Sequence, residues 1–379
     1  MRNLFFVTSY NSIASGRDLR SVPSSITYST YLISAFEKLS DTKVKVLSTS
    51  ISRKKVYWSK KIIQNGNHEE VYFKSIHSAW GSLSVKLSLL ILYFQLFFFL
   101  LFRAKKNDVI VIYHEHGLSY FYKIFNLFLP SKLIFVVGEI YSAVWNLGEK
   151  AIKKEKSYLM DADGFIFSND IMPRIFGAEQ KSIVCYGSYE YSQTKKIIDN
   201  KIHILYAGKI STGIINDAFM ALEVIKYLPD NYVMHLAGYG ENIDIEELKS
   251  RIDLNNLEAG CTRVVYEGNL SGNDYENLLA KCKIGLCTRT LSNELSNYCF
   301  PSKTMVYLTH NILPVCPRID NLLQCEFSEK MIFVEGELSP LNIARAIENS
   351  GDILPYYNNE KFIKTVKDKF EVDLSDLVK

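Results

Sequence analysis

An α/β protein built from two doubly wound parallel sheets is the fold class that this sequence predicts. Three observations predict it. Between residues 202 and 288 a short apolar run, then glycine, then a helix-forming stretch recurs four times. Residues 4–47 read strand, helix, strand. And 379 residues exceed what one core usually organises, so two domains are expected.

Taken in order, residues 4–8 form a first strand, residues 9–24 a polar loop with Gly16 and Arg17, residues 26–39 a helix and residues 43–47 a second strand. Residues 54–67 show no period and read as irregular. The run DVIVIY ends in His114, Glu115, His116 and Gly117, and LIFVV ends in Gly138 and Glu139. Strand ends of this kind are where α/β enzymes place acids and bases, although a lone buried His or Glu is more often a satisfied structural group. His114, His116 and Glu139 are candidates for such work.

The second half begins with a strand at 202–207, followed by Gly208 and Lys209 as a polar loop. A strand at 232–237 runs into Gly238, Tyr239 and Gly240. Further strands at 263–266 and 284–288 lead to NYCFPSKTMVYL, residues 297–308. There Ser302 is a plausible N-cap, with Lys303 opening a helix whose free amides, at Lys303, Thr304 and Met305, suit a diphosphate. The domains expected are 1–190, 200–350 and 351–379, the last a helical segment crossing back to the first. The boundary falls in the polar segment 188–200.

Several classes are disfavoured. With 47% hydrophobic and 22% charged residues the chain is foldable, and a net charge of +3 without a basic, aromatic-laced stripe argues against nucleic acid. Gly238-Tyr239-Gly240 lacks the third glycine of a dinucleotide fingerprint, and no GxxxxGK[ST] loop occurs. Seven cysteines, mostly inside apolar runs, read as reduced core residues and favour the cytosol. Cys282 and Cys287 lack partners at zinc spacing, so no metal is expected. The N-terminal apolar run of residues 4–7 reads as a strand and not a secretory signal. Residues 87–102, LSLLILYFQLFFFLLF, from Leu87 to Phe102, would make a helix of roughly 24 Å, short of the roughly 30 Å needed to span. Lys86, Arg103, Lys105 and Lys106 flank it and suit anionic headgroups, so a helix lying on a membrane surface competes with a fully buried one.

The motifs LYAGKISTGIINDAFMAL, YVMHLAGYGE, RVVYEGNLSGNDYENLLAKCKIGLCT and FPSKTMVYLTHNILPV, in this order, resemble the donor-binding domain of GT-B fold glycosyltransferases of family 4. The resemblance covers residues 202–315 well, and the first half in architecture. It implies two Rossmann-like domains facing a cleft, residues 1–190 binding the acceptor, with Gly16, Arg17 and His114 on that side and His116 in the chemistry, and residues 200–350 binding a nucleotide-sugar donor, with a retaining mechanism and no metal or other cofactor. Gly208 and Lys209 match the family's glycine and diphosphate cation. Gly238, Gly240, Leu270, Arg289, Phe300, Pro301, Ser302 and Thr304 fall on the donor side. Glu139 takes the place of the family's catalytic histidine. The departures are specific. The second diphosphate lysine falls on Thr212 before Gly213, and the paired glutamates fall on Tyr298 and Val306. Lys303 is expected to replace the missing cation, and Glu294 to contribute a carboxylate. The reading is therefore a transferase of sugar to a growing, lipid-linked surface glycan, cytoplasmic and peripheral on the membrane. The alternatives are a non-catalytic subunit of a glycan assembly complex and, more weakly, a nucleotide-sugar epimerase.

Overall fold

The computed structural model describes residues 1–20, 23–53, 55–76, 82–115, 117–129, 131–212, 217–288 and 296–379. These form two compact units, 1–188 with 298–300 and 368–379, and 189–297 with 301–367.

The first unit holds β1 (Arg2–Thr8), β2 (Thr42–Ser48), β3 (Lys61–Asn65), β4 (His68–Tyr72), β5 (Val109–Tyr113), β6 (Lys132–Val137), β7 (Gly164–Phe167) and β8 (Ser182–Val184). Among the described residues their order in the sheet is β3-β4-β2-β1-β5-β6-β7-β8, parallel except for β3 against β4. Leu4 to Val7 and Val109 to Ile112 are buried without alternation. Helices on both faces of a parallel sheet make continuous apolar strands the natural solution. The stretch expected to be irregular contains β3 and the turn into β4, where Asn65 pairs with His68 across Gly66 and Asn67. Gly66 takes φ 56°, the left-handed conformation that a two-residue hairpin loop demands.

The helices α1 (Pro23–Glu37), α2 (Ser82–Arg103) and α3 (Ser119–Phe128) belong to this unit. The apolar segment expected to be too short to span proves longer: α2 has 22 residues, and its stretch Leu83–Arg103 is long and apolar enough to cross a membrane. Two faces divide it. Leu92, Tyr93, Leu96 and Leu100 are buried, whereas Leu83, Leu87, Leu90, Phe94, Phe98 and Phe102 are each 44–79% exposed. Phe97 stacks on Phe125 of α3, whose Ile124, Leu127 and Phe128 extend the exposed apolar surface. Of the two alternatives expected for this helix, the fully buried one is excluded, since one face lies in the core and the other is exposed.

The second unit is an all-parallel sheet among the described residues, in the order β11-β10-β9-β12-β13-β14. Its strands are β9 (Ile202–Ile210), β10 (Tyr232–Gly240), β11 (Val264–Gly268), β12 (Ile284–Leu286), β13 (Leu313–Pro317) and β14 (Ile332–Val334). The strand order reverses direction between β9 and β12, and ligands of open α/β sheets bind outside the carboxyl ends of the strands at such a switch point. β9 extends through Gly208 and Lys209, and β10 through Gly238 to Gly240. These residues therefore belong to strands, not to the loops expected after them. Parallel pairing joins Gly208 to Gly238 and Lys209 to Tyr239. The helix Glu360–Val378 closes the chain, and its residues from Asp368 onward group with the first unit, where Phe370 packs on Tyr31 and the Val378 carbonyl accepts from Arg2.

Candidate functional site

The carboxyl edge of the second sheet is shaped by glycine. A Cβ on Gly238 would lie 1.8 Å from the Gly208 carbonyl oxygen, and one on Gly240 2.4 Å from that of Ile210. No other residue permits these two strand ends to pair so closely. The helix Ser302–Thr309 follows β12 and so begins beside the end of β9. Tyr307 fixes it there. The Tyr307 ring lies on Gly285, where a Cβ would stand 2.4 Å from it, and its buried hydroxyl accepts from the Ala207 amide at 3.3 Å. One turn earlier, the Lys303 ammonium stands 3.1 Å from where a Gly208 Cβ would be and 4.2 Å from the centre of the Tyr206 ring. A cation thus overhangs bare backbone, an arrangement suited to an anionic ligand. Lys209 is exposed at the same strand end, and its carbonyl is held by the Tyr206 hydroxyl at 3.0 Å.

Details of this helix start differ from expectation. Pro301 is the N-cap, without a side-chain bond, and Ser302 is the first helical residue and exposed. Proline at that place fixes its own φ but offers no capping oxygen. The Thr304 amide donates to the Pro301 carbonyl at 2.9 Å, and its buried side chain meets Cys287 Sγ at 3.3 Å. Thr304 is therefore a packing residue, and the amides facing a ligand start earlier. Phe300 belongs with the first unit, its ring 5.1 Å from that of Tyr186, and Tyr298 accepts there from the Ile140 amide. The donor-side expectation for Phe300 therefore falls on a residue that packs within the first unit. Leu270 follows β11 and is half-buried. Arg289, Glu294 and Gly213 lie outside the described residues.

One residue was missed. Asp244, in the first turn of the helix Asn242–Ala259, accepts from the Thr212 amide at 3.0 Å and from its hydroxyl at 2.5 Å. Those two bonds, with Lys209 nearby, hold its carboxyl below the ordinary range. Thr212, where a second cation was expected, instead ties the end of β9 to an acid. An aspartate four residues after a strand-terminal Gly-Tyr-Gly was the available signal.

In the first unit, His114 is buried, with Nε2 2.7 Å from Glu155 Oε1 and Nδ1 3.1 Å from the Tyr122 hydroxyl. Both ring nitrogens are occupied, so His114 is a structural group and not an acceptor ligand. Arg17 spends its guanidinium on the carbonyls of Phe73 and Ser59 and stacks on Tyr57. Its part is to hold the first loop. Gly16 takes φ 61° after a 3-10 turn, a conformation that favours glycine. Glu139 is half-buried after β6, next to Gly138, where a Cβ would lie 2.7 Å from the Tyr113 hydroxyl. His116 lies outside the described residues. The neighbouring strand end carries Glu115, not singled out from sequence. Burial raises its carboxyl to about 7 against the opposing bonds from the Thr49 hydroxyl, at 2.5 Å, and the Ser9 amide. A carboxyl that titrates near neutrality at a strand end can exchange protons. Among the described residues no group of three His, Cys, Asp or Glu side chains could hold a metal ion.

The sequence matches no family model, and no curated protein matches it. Solved structures do. Anabaena HepE in complex with UDP and glucose is 14% identical, with TM-score 0.63 over 99% of this chain and 100% of that one. The E. coli trehalose-6-phosphate structure bound with UDP-2-fluoro glucose is 10% identical, with TM-score 0.63 over 100% and 99%. An alpha,alpha-trehalose-phosphate synthase (UDP-forming) from Burkholderia xenovorans in complex with glucose-6-phosphate is 9% identical, with TM-score 0.61 over 99% and 100%. The fold is that of the GT-B glycosyltransferases, two Rossmann-like units in one chain.

Proposed function

We propose that this protein is a retaining, family 4 type glycosyltransferase that moves a sugar from a nucleotide-diphosphate donor to a growing, lipid-linked surface glycan of the capsule or exopolysaccharide kind. The observation that carries it is the Lys303 ammonium held over the Gly208 backbone at the switch point of the second sheet. UDP and UDP-2-fluoro glucose in solved structures of the same fold support the donor class. In this reading residues 200–350 hold the donor and residues 1–190 the acceptor. When the bond from the anomeric carbon to the phosphate oxygen breaks, negative charge grows on the departing nucleotide diphosphate. Lys209, Lys303 and the first amides of the Ser302–Thr309 helix oppose that charge, with no metal or other cofactor required. The acceptor hydroxyl forms the new bond on the face the diphosphate leaves, and its proton passes to the leaving phosphate oxygens. The exposed face of α2, between Lys86 and Arg103, sets the protein on the cytoplasmic face of an anionic membrane.

Incubation with a panel of UDP- and GDP-sugars and membrane extract, with mass analysis of products, tests the proposal. Transfer from at least one donor is expected. Neither nucleotide release nor transfer with any donor would refute it.

A second reading rests on Tyr298 and Val306, which stand where the resemblance calls for carboxylates. A non-catalytic subunit of a glycan assembly complex would keep the anion site and dispense with them. Calorimetric binding of UDP without turnover, and an obligate partner in pull-downs, would favour it.

A further inference from the structure

We infer that the groove between α2 and the segment leaving β4 is a binding site for the hydrocarbon chain of a lipid phosphate. The groove is shallow and largely open to solvent, with a volume of about 640 Å³. Its apolar surface comes from Phe73, Ile91, Phe94, Phe98, Phe99 and Phe102, and its rim carries Lys60, Lys74 and Arg103 with no carboxylate.

The groove is formed before anything binds. Gln95, the one uncharged polar side chain in its wall, donates to the Lys74 carbonyl at 3.0 Å and accepts from the Lys74 amide at 3.2 Å. That pair of bonds ties α2 to the strand exit, and the amide nitrogen also donates to the Ile91 carbonyl at 3.3 Å. Phe73 and Phe99 meet edge to face at 5.7 Å, and the Lys60 ammonium lies 5.3 Å from the Phe99 ring centre. Phe94 and Phe98 are each 49% exposed and Phe102 79%. Covering them stabilises by roughly 25 cal/mol per Å² of apolar surface removed from water.

Charge selects the occupant. An apolar trough with cations alone on its rim fits an amphiphile whose chain ends in an anion, and a phosphate satisfies several ammonium and guanidinium donors at once. A second copy of this chain fits poorly, because a two-fold contact would bring the same three cations against themselves. Leu83, Leu87 and Leu90 are exposed and do not line the groove, so contact of this helix with a bilayer surface does not require it. The occupant is the anchor of a membrane lipid phosphate. That this anchor belongs to the glycan acceptor rests on the transferase reading, whereas the groove's affinity does not.

The test is calorimetric titration of the full chain with dodecyl phosphate, below its micellar concentration and without any donor sugar. Wild type is expected to bind one equivalent and not to bind butyl phosphate. The Lys60→Glu, Lys74→Glu double variant, altered only at exposed positions, should bind at least 10-fold more weakly with an unchanged urea midpoint. Leu83→Ser, Leu87→Ser should bind as wild type. No binding by wild type, equal binding by the lysine variant, or equal loss in the leucine variant would overturn the site. Binding here with no transfer in the donor panel removes the transferase reading and leaves the groove. Transfer without dodecyl phosphate binding does the reverse.

Discussion

At Gly208 the protein's chemistry depends on an absence of side chain. Its Cβ position is bounded by the Lys303 ammonium at 3.1 Å and the Tyr206 hydroxyl at 3.0 Å. Replacing Lys303 or Lys209 by alanine should lower turnover by about 10²-fold or more, as loss of a preorganised charge at a leaving group does. Nucleotide release under single-turnover conditions measures it, and wild-type rates in both would remove them from the mechanism. Gly238→Ala is more drastic. Its methyl group would stand 1.8 Å from the Gly208 carbonyl oxygen, so β9 and β10 would have to part. A thermal midpoint several degrees lower and loss of UDP binding are expected together, read by calorimetry.

Among elements, the Ser302–Thr309 helix is positioned by its core side chains more than by its cap. Tyr307→Phe removes the hydroxyl that accepts from the Ala207 amide, leaving a buried donor without its partner at a cost of about 1–3 kcal/mol. Urea unfolding should show that loss, and donor affinity should fall with it as the helix start moves from Gly208. Unchanged stability would mean that water or another carbonyl replaces the phenol. The helix α2 offers an independent test. Serine at Leu83, Leu87 and Leu90 changes only exposed positions, and should release the protein from vesicles containing phosphatidylglycerol without unfolding it. Sedimentation with vesicles as in wild type would refute surface docking by this face.

At the scale of the whole molecule, acid stability depends on buried carboxylates. Burial would raise Glu155, but bonds and charge from His114 and bonds from Ser142 outweigh it and hold the carboxyl at about 2. Glu70 is likewise held at about 2, burial being outweighed by His68, Asn65, Ser12 and Tyr72. Both folded values lie below the ordinary 4.5, so the stability they confer is complete above that pH. It is lost as pH falls from about 4.5 toward 2. Denaturant midpoints followed across that window should drop steeply in the wild type and less in Glu155→Gln, which starts lower because its His114 partner has lost a charge. A flat profile would show that neither carboxylate is paired in solution.

The repeated strand-glycine-helix pattern determined two Rossmann-like sheets because hydrophobic period and glycine placement act over a few residues. The placement of Gly208, Lys209, Gly238 and Lys303 close to the ends of their elements was legible for the same reason. Contacts between distant segments were not legible. Thr304 and His114 read as ligands from sequence, yet packing commits one to Cys287 and the other to Glu155 and Tyr122. Asp244 drew no notice and Glu115 was named at a strand end without a role, because their environments are assembled from residues 32 and 66 positions away, Thr212 and Thr49. The strand β3 and the turn into β4 hid in a stretch without clear period. Sequence alone determined the sheets, their glycines and the cationic helix start. Only the tertiary structure decided which polar groups remain for a ligand and which face of α2 stays outside, since burial and hydrogen-bond satisfaction are set by neighbours that chain order does not reveal.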